Sequence, residues 1–244
     1  MSKIVNRTLD FFEAFARQQK PLSLTDLMKV LDIPMSSCHD VVRALEARGY
    51  LYEVRARGGY YPTARLYEIG KTIVEHDPVA LRAEPTLREL STALNASVSL
   101  GRAKDATLTY LLVCPSPDPL RFDVYVGDQV RNLYATSAGK AVLASFPPEE
   151  RKRIVDGLTL TPLTPATIRS KQALLKDVAA GEARGWFINR EESVEDALTL
   201  STRFSWSGST YVITASGTLR RMERQLDEAA QALLAAAESL RQRE

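Results

Sequence analysis

Apolar residues return every three or four positions through the first 50 residues, then switch to every second position. Val5, Leu9, Phe12 and Phe15–Ala16 mark a helix over 3–18. In "PLSLTDLMKVL", Ser23 can cap a second helix, with Asp26 three residues on near its positive end. Leu24, Leu27, Met28 and Leu31 of that helix face a core. Pro34 disfavours helical backbone at Ile33, so "DIP" makes a short turn. "IPMSSCHDVVRALEARGY" is then a third helix, with Cys38, Val41, Val42 and Leu45 inward and Gly49 just past its end. The period becomes two in "YLYEVRARGGYYP". There Tyr52, Val54 and Ala56 alternate with Glu53, Arg55 and Arg57, and Gly58–Gly59 supplies a hairpin turn.

Helix, helix, short turn, helix and basic hairpin is the order of a winged helix-turn-helix, whose second turn-pair helix enters the DNA major groove. The polar face of the third helix carries Ser36, Ser37, His39, Asp40 and Arg43, short or hydrogen-bonding groups rather than a solvating Lys/Glu mixture. Arg55 and Arg57 would lie over phosphates or a minor groove. Asp40 repels phosphate, yet it could accept from a cytosine amino group. Pairing with Arg43 three residues on, which would aim the guanidinium, is the favoured expectation.

Asp77–Pro78 opens a further helix through Leu81, Leu87, Leu90 and Leu94, with a kink expected at Pro85. Its apolar stripe has no core of its own. From residue 97 the pattern turns to strands at "SVSLGRA", "ATLTYLLVC" and "FDVYVGDQV". "ATSAGKAVLASF" reads as a helix ended by Pro147–Pro148, and another near 170–184 ends at Gly185. Strands follow at "WFINRE", "LTLSTRF" and "STYVITAS", the last two joined through "WSG", before an alanine-rich helix over about 219–242. The whole is an α+β chain of two domains, the second a sheet covered by helices. "ATSAGKA" lacks the first glycine and the final Ser/Thr of a phosphate loop. The simpler reading is a close strand-to-helix turn at Ala138–Gly139 and a solvated Lys140. A turn opening a helix also offers free N–H groups that suit a carboxylate.

Composition narrows the function. The 244 residues are 45% apolar and 25% charged, a globular mix with a real core. Net charge is only +2; the first 76 residues hold 11 Lys and Arg against 9 Asp and Glu, so the excess lies at the N-terminal end. Cys38 and Cys114 form no CxxC pattern, and both histidines lie in the N-terminal third, which leaves no Ser-His-Asp set and no metal cluster. Without a glycine-rich cofactor fingerprint either, neither enzyme chemistry nor a cofactor is expected. No signal-peptide core and no apolar run of about 20 residues appear, so the expectation is a cytoplasmic protein with no membrane partner.

The chain resembles the IclR-type transcriptional regulators over nearly all its length. The likeness runs through "PLSLTDLMKVLDIPMSSCHDVVRALEARGYLY", "GGYYPTARLYEIG", "LRAEPTLRELSTALNASVSL" and "ATSAGKAVLA", and less closely through "ARGWFINREES" and "YVITASG". It departs at Met35 and Asp40, where the family is usually basic, and in "EESVEDALTLSTRFSW". There Asp196 stands near the usual glycine and Thr202–Arg203 near the usual Ala-Pro. The resemblance implies a DNA-binding domain over 1–76, a linker helix over 77–96, and a GAF-like effector-binding and oligomerisation domain over 97–244. It carries DNA contacts onto Ser36, Ser37, His39 and Arg43, and an effector pocket onto Ser137, Ala138, Asn189, Thr199, Thr214 and Ser216. Arg131 or Arg203 could anchor an anion there, and Tyr125 or Tyr134 could form an aromatic wall. The expected partners are double-stranded operator DNA, read as a roughly palindromic site by a homodimer within a dimer of dimers, and a small organic acid, aromatic acids included. The rival reading is a dimerisation or scaffold protein whose winged helix never meets DNA. Salt separates the two, because phosphate contacts release counterions.

Overall fold

The computed structural model describes residues 3–54, 59–119, 121, 124–130 and 132–242. The chain divides into two compact units, Met1–Glu75 and His76–Glu244.

The first unit comprises α1 (Lys3–Gln18), α2 (Leu24–Leu31), α3 (Met35–Ala47), β1 (Leu51–Glu53), β2 (Tyr60–Pro62) and α4 (Arg65–Glu75). Its core joins Phe11, Ala14 and Phe15 of α1 to Leu22, Leu27, Cys38, Val42, Leu45 and Leu51. The helix α1 is rolled from its expected face: Val5 and Leu9 are 56% and 57% exposed. Burying the i,i+4 pair of phenylalanines, Phe11 and Phe15, removes more apolar surface from water than burying Val5 and Leu9 would. At the start of α2, Ser23 Oγ accepts from the Asp26 N–H and the Asp26 carboxylate accepts from the Ser23 N–H at 3.0 Å. The Ser23 hydroxyl also donates to the Asp26 carboxylate at 2.6 Å, and that bond, with the Ser23 N–H bond beside it, holds the Asp26 carboxyl below its ordinary range. The helix closes on Asp32 in left-handed geometry, and Pro34 leads into α3 as expected.

The strands β1 and β2 form an antiparallel hairpin, and Leu22 and Tyr60 exchange two backbone hydrogen bonds that tie the returning strand to the segment before α2. Gly59 has φ +103, and a Cβ there would meet the Leu22 carbonyl carbon at 3.0 Å. Arg55, Ala56, Arg57 and Gly58, which stand between β1 and β2 in the sequence, lie outside the described residues. The helix α4, absent from the pattern-based expectation, begins where Thr63 Oγ accepts from the Arg65 N–H, and every residue of it is exposed.

The second unit is built on a six-stranded antiparallel sheet ordered β5-β4-β3-β8-β7-β6. The strands are β3 (Ser97–Lys104), β4 (Thr107–Cys114), β5 (Gln129–Val130), β6 (Phe187–Arg190), β7 (Ala197–Trp206) and β8 (Ser209–Thr218). The helices α5 (Pro78–Leu94) and α10 (Leu226–Gln242) bury Leu87, Leu90, Leu94, Leu233 and Leu240 against Val98, Leu100, Leu198, Leu200 and Ile213 on one face. On the other face α6 (Ser137–Leu143), α7 (Pro148–Gly157) and α8 (Lys171–Arg184) build a second core around Val142, Val155, Leu174, Val178 and Phe187. A helix pair, a sheet and a second helix layer make the α/β architecture expected from the alternation of patterns.

Four local expectations need correction. Pro147–Pro148 does not merely end a helix: Pro148 is the first residue of α7, where its missing N–H leaves no bond unmade. The last helix is two, because after α9 (Leu219–Arg224) the chain breaks at Gln225, whose side-chain Nε2 donates to the Leu94 carbonyl at 2.7 Å. Leu81, expected on the apolar stripe of α5, is half exposed, whereas Leu87, Leu90 and Leu94 of the stripe pack on the sheet. Of "FDVYVGDQV", only Gln129–Val130 is strand among the described residues.

Gly139 in α6 lies against the preceding turn, where an added Cβ would fall 2.4 Å from Leu133 Cα. Because the neighbour is backbone, Gly139→Ala should cost at least about 1–3 kcal/mol. An unchanged denaturant midpoint would show that the α6 approach is looser than described.

Candidate functional site

Two surfaces carry the chemistry, one in each unit. In the first, Cys38, Val42 and Leu45 seat α3 on the core, and this turns Ser36, His39, Asp40 and Arg43 outward. Ser37 is half-buried, and its Oγ accepts from Arg7 Nη1 of α1 at 3.3 Å. The expected Asp40–Arg43 pair does not form: no ion pair involves either residue among the described residues. Both side chains are exposed, and there an ion pair gains too little to fix two hydrated side chains. Asp40 instead lines a groove of about 420 Å³ between α1 and α3, with Arg7, Thr8, Ser37, Val41 and Arg48. Arg7 was missed in the sequence because its closeness to Ser37 depends on how two helices cross.

In the second unit the antiparallel register assembles two rows across one sheet face, polar throughout except for Phe187 at the end of the second. Asn189, Thr199, Ser216 and Ser97 are successive cross-strand partners, and so are Phe187, Ser201, Thr214 and Ser99. Directly opposed residues project to the same side. Ser137, the first residue of α6 after its Thr136 cap, descends onto these rows. Its Oγ lies 2.6 Å from Thr199 Oγ1 and 2.8 Å from Ser201 Oγ, which in turn is 2.8 Å from Thr214 Oγ1. Four hydroxyls share three hydrogen bonds, and each bond uses one proton, so one O–H of the chain stays uncommitted.

Of the sequence-derived pocket residues, Ser137, Thr199 and Thr214 therefore come together, with Ala138 buried beside Ser137. Ser216 is on the same face and partly exposed. Asn189 is buried but committed elsewhere: its Oδ1 accepts from the Glu192 N–H at 2.7 Å and its Nδ2 donates to Ser193 Oγ at 3.0 Å. Arg203 is not brought to the hydroxyls, since Glu182 of α8 holds its guanidinium at 3.3 Å. Arg131 lies outside the described residues. The Tyr134 ring is buried with its hydroxyl donating to the Thr161 carbonyl, whereas Tyr125 is solvent-exposed. Ser201 was overlooked, although the alternation in "LTLSTRF" already puts it on the face of Thr199.

Lys140 overturns the expectation of a solvated side chain. Every residue of α6 is buried, and this lysine is 1% exposed. With no water available, its ammonium must find oxygen within the protein. It donates to the Ile188 carbonyl at 2.9 Å and to Glu192 Oε1 at 2.6 Å, and pairs with Asp177 Oδ2 at 2.8 Å. Burial raises the Glu192 carboxyl above its ordinary range even though Lys140 pulls the other way. Thr164 and Thr167 donate to the carbonyls of Glu191 and Glu192, so the loop after β6 is fastened from both sides.

No group of three or more His, Cys, Asp or Glu residues that could hold a metal occurs among the described residues, and none of their helices is long and apolar enough to cross a membrane. The family pattern described as "Bacterial transcriptional regulator IclR C-terminal" matches residues 71–242, and "IclR helix-turn-helix domain" matches residues 5–55. Among curated relatives, the HTH-type transcriptional regulator XynR of Escherichia coli is 25% identical over 86% of this chain and 83% of its own length. BhcR of Paracoccus denitrificans is 26% identical over 98% and 86%. A transcriptional regulator from Rhodococcus shares the fold with a TM-score of 0.82 at 21% identity, covering 99% of this chain and 98% of its own. An IclR homolog from Microbacterium hydrocarbonoxydans, solved in complex with 4-hydroxybenzoate, does so at 0.76 and 19% identity, covering 98% of each chain.

Lys140→Met should destabilise the protein by about 3–5 kcal/mol, because it leaves the buried Glu192 carboxylate and the half-buried Asp177 carboxylate uncompensated. The Glu192 carboxyl, already raised, would rise further. The folded chain would then hold a proton that the unfolded chain has released. The deficit is therefore greatest at neutral pH and shrinks as pH falls toward the unfolded carboxylate value of about 4.3. Unfolding curves of both proteins across that range check the sign; a deficit that grows on acidification would refute it.

Proposed function

The chain belongs to the IclR family of bacterial transcriptional regulators, and from that premise we infer that α3 reads an operator while the hydroxyl-lined sheet face receives a small organic acid. The observation that carries the DNA half is the outward polar face of α3 over a fully packed inner face. Ser36, Ser37, His39 and Arg43 serve as the groove contacts, and Arg55 and Arg57 serve as phosphate or minor-groove contacts. Asp40, having no ion-pair partner among the described residues, becomes available to accept from a cytosine amino group. In this reading residues 1–76 bind DNA, 77–96 link, and 97–244 sense and assemble. The protein works in the cytoplasm as a homodimer, within a dimer of dimers, on a roughly palindromic site, because two-fold symmetry requires matching half-sites. It acts by binding rather than by catalysis.

The effector half rests on the Ser137–Thr199–Ser201–Thr214 chain. A carboxylate is an acceptor-only group that can take the uncommitted O–H and redirect others. Ala138, Asn189 and Ser216 border the site. Arg131, or Arg203 if released from Glu182, supplies the cationic anchor. The 4-hydroxybenzoate in the structurally similar IclR homolog favours aromatic acids as the first candidates. The acid shifts the population of DNA-binding arrangements by binding one of them better.

Fluorescence anisotropy on the chain's own upstream DNA against scrambled DNA, across a salt series, tests the DNA half. Tight binding to the specific DNA should weaken steeply as salt rises. Salt-insensitive binding, with no site recovered in a genome-wide selection, would favour the scaffold reading instead. Arg43→Ala should lower specific affinity by about 1–3 kcal/mol if the guanidinium reads a base, and unchanged affinity would remove it from the contacts. Calorimetry with a panel of aromatic and aliphatic acids should show binding that Thr199→Val weakens; heat from another metabolite class alone would overturn the acid assignment.

A further inference from the structure

Two buried hydrogen-bond donors in the second unit have no acceptor among the described residues, and both border one small cavity. Trp206 Nε1 at the end of β7 and Arg82 Nη2 in α5 are shielded from solvent without a partner. The Arg82 guanidinium lies over the Trp206 ring, 5.1 Å from its centroid, and takes part in no ion pair among the described residues. The ring is packed against Tyr211 at 6.0 Å, which itself stacks on Phe204 at 5.6 Å. The shared cavity has a volume of about 10 Å³, and its other walls are Val79, Ala83, Leu100, Phe204 and Leu240.

We propose that this cavity is a binding site for one small monovalent anion, chloride being the natural occupant. A guanidinium, an indole N–H and apolar walls call for a guest that accepts hydrogen bonds and has none to donate. A water molecule would accept from both donors, but its own hydrogens would face Val79, Ala83 and Leu100. A carboxylate has the right charge, but it brings a carbon substituent into a space that takes about one small body, whereas a halide brings none. The ring face offers the cation partial compensation, and the anion completes it. The walls come from α5, β3, β7 and α10, so the site exists only in the folded chain and its occupant stabilises that state by mass action. It also makes the protein respond to the identity of a salt, not only to ionic strength.

Crystals of the full chain soaked in sodium bromide should show an anomalous peak within hydrogen-bond distance of Trp206 Nε1 and Arg82 Nη2. In solution at fixed ionic strength, replacing gluconate by chloride should raise Tm saturably, by about 2–4 °C once chloride exceeds its dissociation constant tenfold. Trp206→Phe keeps an aromatic ring without the N–H, and Arg82→Gln removes the charge. Each variant that folds should lose the chloride-specific shift while keeping its melting cooperativity. The proposal is overturned by equal responses to chloride and gluconate, by a chloride shift that survives in both variants, or by a crystal showing water or another chain's carboxylate in the cavity.

Discussion

The second unit depends on a lysine that has no water. Removing an ammonium from solvent is costly enough that every oxygen around it must be held in place, and Lys140 therefore fixes three elements at once. Ile188 contributes a carbonyl from β6, Asp177 a carboxylate from α8, and Glu192 a carboxylate from the loop that follows β6. Lys140 also fixes the position of α6, and with it Ser137, which lies three residues earlier and almost one turn away. The hydroxyl chain over the sheet thus inherits its geometry from a charge a turn away. Asn189 reinforces the arrangement, since its amide closes the same loop from the sheet side.

Much of the architecture was legible because it follows from periodicity. The bounds of α1 and α8 and the cores of the long strands came directly from spacing, and so did the capping of α2 by Ser23. The rows of polar residues were half legible. Alternation puts Thr214 and Ser216 on one face, but only the register of β7 on β8 adds Ser201 opposite Thr214. Lys140 was not legible at all. A lysine after "SAG" reads as solvated until the helix carrying it is known to be covered on all sides, which is a tertiary fact. The same holds for Arg7 beside Ser37, and for Pro148, whose role depends on whether a helix ends or begins there. The face of α1 was misjudged because Val5 and Leu9 fit the period as well as Phe11 does, and only the competition for burial decides between them.

Asp40 is the informative exception on the face of α3 proposed to meet DNA. A helix designed to bind any DNA would put cations there, since phosphate neutralisation supplies affinity without regard to sequence. This helix presents Ser36, His39, Asp40 and Arg43, and the first 76 residues are almost balanced in charge. A carboxylate with no ion-pair partner among the described residues would oppose phosphate wherever that helix docked, and only a donor on a base edge would compensate it. Modest charge and an exposed Asp40 thus act in the same direction: they weaken attachment to arbitrary DNA more than attachment to the right site. Discrimination is a difference of affinities, and a penalty against the wrong partner widens it as surely as a contact to the right one. On the proposed reading, a regulator built this way would spend little time on non-specific DNA, and base contacts would govern its occupancy of the operator, which is the condition under which a small shift in the population of binding-competent arrangements becomes a usable signal.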